Sequence, residues 1–165
     1  MTPATKIGGL AVRRSIEINA PPERVWEEFA SAERFRLWYT PAGGVDMPCK
    51  MLEYEPQVGG PFVTHVEHGA DGRRRFEGKV LVYDPPRELT LEWGPFDFAG
   101  SQAVSLLSFL LHELPDGRTR AEIVHHGFES FGDGARNVYQ AFEGGWDMTV
   151  PTALRNLVET GKATG

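Results

Sequence analysis

Apolar residues in the last third of the chain recur at helical spacing. Val138, Phe142, Trp146, Val150, Ala153, Leu154, Leu157 and Val158 fall three or four positions apart, with Arg136, Glu143, Asp147, Arg155 and Glu159 mostly between them. That is the pattern of a helix with one wide face to bury. The spacing predicts one long helix over 132–161, with Asp133 as N-cap and Gly161 as the C′ stop, a span of roughly 40 Å at about 1.5 Å per residue. Two features oppose it. Gly144 and Gly145 each cost roughly 1 kcal/mol against alanine, and Pro151 costs roughly 3 kcal/mol and should kink the axis. The glycine pair reads either as close packing against a sheet or as a dent that leaves room for a ligand.

The chain before this helix begins with a loose leader over 1–9 and a strand over 10–19, with Val12, Ile16 and Ile18 on one face. Pro22 sits where a helix start tolerates proline, so a short helix is predicted over 22–30, burying Val25, Trp26 and Phe29. Ser31 caps a second short helix over 32–38, with Phe35 and Trp38 on one side, which Thr40 to Gly44 terminates. From Val45 to Phe128 the period changes to two, with turn residues at short intervals. Strands are predicted near 46–54, 61–68, 75–84, 88–94, 103–113 and 119–128, with a looser connection from Gly94 to Gly100. Phe76, Gly78, Val80 and Val82 share a face in this phasing, as do Leu89, Leu91 and Trp93, and Ala121, Ile123 and His125. The order of strand, two short helices, six strands and long helix implies an α+β fold: a curved seven-stranded antiparallel sheet around the terminal helix, in a single domain over 10–161.

Composition narrows the function classes. The net charge of −6 argues against a nucleic-acid partner, and the one dense basic run, Arg73 to Arg75, borders a Gly-Ala-Asp-Gly turn and reads as a hairpin tip. No apolar run approaches the roughly 18 residues of a membrane span. The start of the chain lacks the apolar block of a signal peptide, and one cysteine, Cys49, excludes an internal disulfide framework, so a cytoplasmic protein without a membrane partner is expected.

Short motifs in register then carry a resemblance. Ile18 to Trp26, Arg36-Leu37-Trp38, Val58-Gly59-Gly60, Gly78-Lys79-Val80, Asp84 to Leu89, Gly117 to Arg120, His125 to Phe128 and Gly145-Trp146 occur in this order. Together they resemble the START-like (SRPBCC) superfamily, in particular the branch related to activators of the Hsp90 ATPase. The resemblance implies a helix-grip fold, with two small helices between the first two strands and a sheet that grips the C-terminal helix. It fixes function less closely, because superfamily members bind apolar molecules, catalyse cyclisation or hydrolysis, or act as co-chaperones.

The residues themselves support little catalytic chemistry. His65 and His68 point to opposite faces of a strand, as do His125 and His126, so neither pair is a local chelate and no metal is expected. His125 reads as a core or cavity histidine bonded to a neighbour, or else as a general base. Serines 101, 105 and 108 lack a nucleophile elbow, Cys49 lacks a local activating partner, and no phosphate-binding glycine loop is present, so neither catalytic residues nor a cofactor are assigned. Glu53 and Glu55 alternate around Tyr54 as a solvated strand face.

What remains is aromatic content. Phe35, Trp38, Phe62, Phe76, Trp93, Phe142 and Trp146 are expected to face the space between sheet and helix, with His65, His125 or Tyr139 to orient one polar end of a ligand. The leading expectation is a binding protein for a small apolar or aromatic molecule. The alternatives are a cyclase or hydrolase that uses the same cavity, and an Hsp90-type co-chaperone or interaction module. The strand over 104–114 is apolar on both sides, with Leu107, Phe109 and Leu111 on one and Leu106, Leu110 and Leu114 on the other. An outer face of that kind predicts a homodimer, or cover from the 94–100 loop with Phe96 and Phe98.

Overall fold

The computed structural model describes residues 7, 9–39, 49–66, 74–98, 101–145 and 148–163. Strand β1 (Val12–Ile18) leads into α1 (Pro22–Trp26), a 3-10 turn (Glu27–Phe29) and α2 (Ala32–Arg36). Six strands follow: β2 (Cys49–Tyr54), β3 (Pro61–Val66), β4 (Arg74–Asp84), β5 (Glu88–Phe98), β6 (Ser101–Glu113) and β7 (Thr119–His126). A 3-10 stretch (Phe128–Gly134), α3 (Ala135–Gly145) and α4 (Thr149–Thr160) complete the described elements. The strands form one antiparallel sheet in the order β1-β7-β6-β5-β4-β3-β2. The α+β helix-grip architecture expected from the sequence is the one observed.

Local chemistry explains the short elements. Pro22 occupies the first turn of α1, where its missing N–H leaves no bond unmade. Ser31 caps α2 as expected, its Oγ accepting from the Arg34 amide at 3.2 Å. The two helices are tied together by a buried carboxylate: Arg34 Nε and Nη2 each donate to Glu28, both at 2.7 Å. Trp38 Nε1 donates to Glu28 O at 3.1 Å, and Tyr54 donates to Phe29 O at 2.6 Å, which fixes the helices on the sheet.

The terminal helix departs from the expected single rod. The run over 132–161 divides into the end of a 3-10 stretch, α3 and α4, with the division between Gly145 and Thr149. In a continuous helix Pro151 would remove an amide donor and strike the carbonyl four residues earlier. With α4 begun at Thr149 the first i→i−4 bond is instead donated by Thr152 to Met148 O at 2.9 Å, one residue past the proline. Asp133 lies inside the 3-10 stretch instead of capping a helix. Gly161 ends α4 as expected, left-handed at φ 83° with its amide on Leu157 O. Gly144 is exposed, and a Cβ there would meet no atom within 4 Å, so it serves neither close packing nor a dent over a ligand. Gly145, by contrast, is described in backbone only.

Two strand expectations are also corrected. The connection expected over 94–100 is strand as far as Phe98, paired from Phe96↔Ala103 to Phe98↔Ser101. Gly94 at φ 138° sits in the register shift between Trp93 and Phe96, so the segment lengthens the β5–β6 hairpin and does not fold back over β6. In β4 a shift between Val80 and Val82 breaks the expected shared face: Val80 pairs with Leu91 on one side, whereas Val82 pairs with Thr90 on the other.

The inner face carries Leu89, Leu91 and Trp93 of β5, Ser105, Leu107, Phe109 and Leu111 of β6, and Ala121, Ile123 and His125 of β7, all buried. Helix α4 packs against β1 and β7, while α1 approaches β6 and α2 approaches β2. On the outer face Leu106, Leu110 and Leu114 are part-buried. Between the first two sits Ser108, a member of a buried polar row. Thr90 donates to Glu88 Oε2 at 2.6 Å, so its oxygen accepts from Ser108 at 2.8 Å, and the Ser108 oxygen in turn accepts from His126 Nε2 at 2.9 Å. Each hydroxyl donates once and accepts once. The row therefore runs in one direction, from imidazole to carboxylate.

Candidate functional site

Among the described residues the aromatic side chains of the interior fall into two groups. The first joins the short helices to β2, β3 and β6. Phe35 touches Trp38, Tyr39, Tyr54, Phe62 and Phe109, with ring centroids 4.9 to 6.1 Å apart. Phe29 contacts Phe35, Trp38 and Phe109 from the other side. Tilted and edge-on pairs at these separations are worth about 0.5–1.5 kcal/mol each beyond the area they bury. Phe35, Trp38 and Phe62 are thus buried members of the hydrophobic core.

The second group lies on β5, β6 and β7 beneath α3. His125 is fully buried, 4.4 Å from the ring of Phe142, 4.9 Å from Phe128 and 5.1 Å from Trp93. Trp93 meets Phe142 at 5.3 Å, and Phe128 meets Tyr139 at 6.0 Å. Tyr139 and Phe142, one helical turn apart on α3, share a face: Tyr139 meets Phe128 of the 3-10 stretch, and Phe142 meets Trp93 of β5 and His125 of β7. Phe142 and Tyr139 remain part-exposed at the rim of this box.

One polar pair sits inside it. Ser105 donates its single hydroxyl hydrogen to Trp93 O at 3.1 Å, so at 2.8 Å its oxygen accepts from His125 Nε2–H. That assignment leaves the lone pair of the neutral ring on Nδ1. Burial pushes the imidazole down to about 3, and the neighbouring His126 acts in the same direction. His126, on the opposite face, is also held below its ordinary value, chiefly by burial.

The structure therefore brings together Trp93, His125, Tyr139 and Phe142, and separates them from Phe35, Trp38 and Phe62. His65 and Phe76 are described in backbone only, in β3 and β4, and Trp146 lies outside the described residues, as do Cys49's side chain and His68. Sequence reading passed over Ser105 and Phe128. Ser105 was legible as a polar position in phase with Leu107 and Phe109, whereas Phe128 follows the end of β7 and enters the box through the 3-10 stretch. Among the described residues no three histidine, cysteine, aspartate or glutamate side chains form a metal-ligand group. No described helix is long and apolar enough to cross a membrane.

Solved structures share this architecture. A protein of Arthrobacter aurescens is 19% identical, with 98% of this chain and 95% of that one covered and a TM-score of 0.67. A protein of Rhodobacter sphaeroides is 18% identical, with coverage of 94% and 97% and a TM-score of 0.66. For a protein of Nitrosomonas europaea the identity is 19%, the coverage 93% and 96%, and the TM-score 0.64. At these identities the likeness is one of fold. No curated protein matches the chain in sequence. The sequence model of the family described as Activator of Hsp90 ATPase homolog 1-like protein matches residues 19–159, and the chain belongs to that family.

Proposed function

We propose that the protein binds a small, largely apolar molecule in the interior between the sheet and α3, against Trp93, His125, Tyr139 and Phe142. The observation that carries this reading is the Ser105–His125 pair, a hydrogen-bonded polar point fully buried among aromatic rings. Aromatic walls supply affinity at about 25 cal/mol per Å² buried, while a few placed polar groups set orientation. The low basicity of His125 supports binding over catalysis. An imidazole pushed down to about 3 is neutral near pH 7, but it has little driving force to take a proton from a substrate.

Native mass spectrometry of the protein as purified tests the proposal. A small-molecule adduct that is lost on acid unfolding is expected. No adduct, together with no protection of Trp93 fluorescence from quenching by any of a panel of neutral aromatic compounds, overturns it.

Family membership supports a second reading, an interaction module whose working surface is the outside of the domain. Stimulation of a cognate Hsp90-type ATPase by a protein that shows no adduct would favour it. A homodimer through the outer face, with Leu106 and Leu110 at its centre, belongs to the same proposal, as does a cytoplasmic location. A monomeric mass by light scattering, unchanged on dilution from micromolar concentration, removes the dimer.

A further inference from the structure

Thr64 lies on β3 two residues beyond Phe62, in a β3–β4 register without interruption. Alternation therefore turns both side chains to the same, inner face. Phe62 meets Phe35, Tyr39 and Tyr54 there. Thr64 is fully buried, and its Oγ1 has no hydrogen-bond partner among the described residues. The other buried serine and threonine hydroxyls in phase with this face are satisfied: Ser105 by Trp93 O and His125, and Thr119 by Ala20 O. Valine would have the same shape with no polar atom to bury, so a hydroxyl orphaned at this position is a cost that no described residue offsets.

From β3 to Ser105 on β6 is three strand spacings, roughly 14 Å along the sheet at about 4.8 Å each. On that path β4 contributes Phe76 opposite Thr64, described in backbone only, and Gly78 opposite Phe62, where the Glu92 carbonyl of β5 leaves no room for a Cβ. The buried polar groups of the inner face, Thr64, Ser105, Thr119 and His125, are all uncharged. A carboxylate or ammonium group placed among them would find no compensating charge among the described side chains of this face.

We propose that the Thr64 hydroxyl is a ligand contact, the hydrogen-bond donor to the carbonyl oxygen of a neutral, ring-bearing apolar molecule. This rests on the reading that the interior holds a ligand, and it adds the ligand's chemistry: a ketone-like acceptor on an uncharged frame.

Equilibrium dialysis of the full chain against 9-fluorenone and fluorene tests it, because the two probes have the same shape and differ in the carbonyl alone. The wild type should bind fluorenone about five- to tenfold more tightly, the worth of one net hydrogen bond. Thr64→Val should bind both probes with the affinity the wild type has for fluorene, and its urea midpoint should be equal to or above that of the wild type. Equal wild-type affinities, or a carbonyl preference that survives in Thr64→Val, overturn the role of Thr64 and leave the binding reading in place. Failure of both probes to bind the wild type overturns the Thr64 proposal, and the binding reading itself is then decided by the native mass spectrometry and quenching measurements.

Discussion

Ser105 and His125 are joined at 2.8 Å across the β6–β7 pair, and the Ser105 hydrogen is committed to Trp93 O. The serine is therefore the acceptor for a fully buried imidazole N–H. Ser105→Ala should lower stability by about 1–3 kcal/mol, since it leaves that donor unbonded in apolar surroundings. Removing both partners should cost less than the serine change alone. Urea denaturation of Ser105→Ala, His125→Phe and the double variant checks this, and additive losses in the double variant would show that the pair is not coupled.

The same burial makes stability depend on pH. The folded-state pKa of His125, about 3, lies below its unfolded value, near 6.5. Between those values the unfolded chain binds a proton that the folded protein does not, so stability rises with pH. The contribution is complete above about pH 6.5 and is lost as pH falls toward 3, at roughly 1.4 kcal/mol per pH unit for one group. His126 is shifted in the same direction and steepens the slope. Urea midpoints should hold from pH 7.5 to about 6.5 and then fall toward pH 4.5, and His125→Phe should flatten the profile. An unchanged slope in that variant would place the dependence elsewhere.

Glu28 is buried while its partner Arg34 is part-exposed, which makes the pair asymmetric. Arg34→Met leaves the carboxylate buried, with Arg24 at 3.7 Å as its remaining cation, and should cost about 3 kcal/mol, the lower end for breaking a buried pair. Arg118 also binds a carboxylate at 2.7 Å, Asp116, but on the surface. There water screens the pair, and Arg118→Met should cost much less than Arg34→Met. Chemical denaturation of the two variants side by side reads the difference, and equal losses would mean that burial of Glu28 does not matter.

How much of this was legible from the sequence follows from which residues carry the signal. Period-two alternation located the strands because one face of the sheet is buried, and the Ser31 cap and the Gly161 stop mark helix ends by local chemistry. Pro151 signalled a disturbance but not its form, since a proline can either kink a helix or begin a new one. The shift that sends Val80 and Val82 to opposite sides depends on β5, and the extension of β5 to Phe98 depends on β6. Such effects need the partner strand and leave no trace in one segment's pattern. The split of the described aromatic residues was hidden for a similar reason: Phe62 on β3 and Trp93 on β5 share a face, and only the strand order shows that β4 stands between them.

Two glycines separate backbone demand from simple tolerance. At Gly78 a Cβ would strike Glu92 O and come 2.8 Å from Glu92 C, both backbone atoms of the adjoining strand. A methyl group there cannot be accommodated by a side-chain rotation; β4 and β5 must part beside the interior. Gly78→Ala should therefore destabilise by about 1–3 kcal/mol, the usual cost of overpacking, or more. At Gly144, inside α3 and exposed, a Cβ meets nothing within 4 Å. Gly144→Ala should stabilise by roughly 0.5–1 kcal/mol through helix propensity and a less flexible unfolded chain. Thermal and urea unfolding of the two variants should thus move in opposite directions from the wild type. A neutral Gly78→Ala would mean that β4 and β5 have room for a methyl group beside Glu92, and a destabilised Gly144→Ala would mean that the surface of α3 is occupied by something that packs against that glycine.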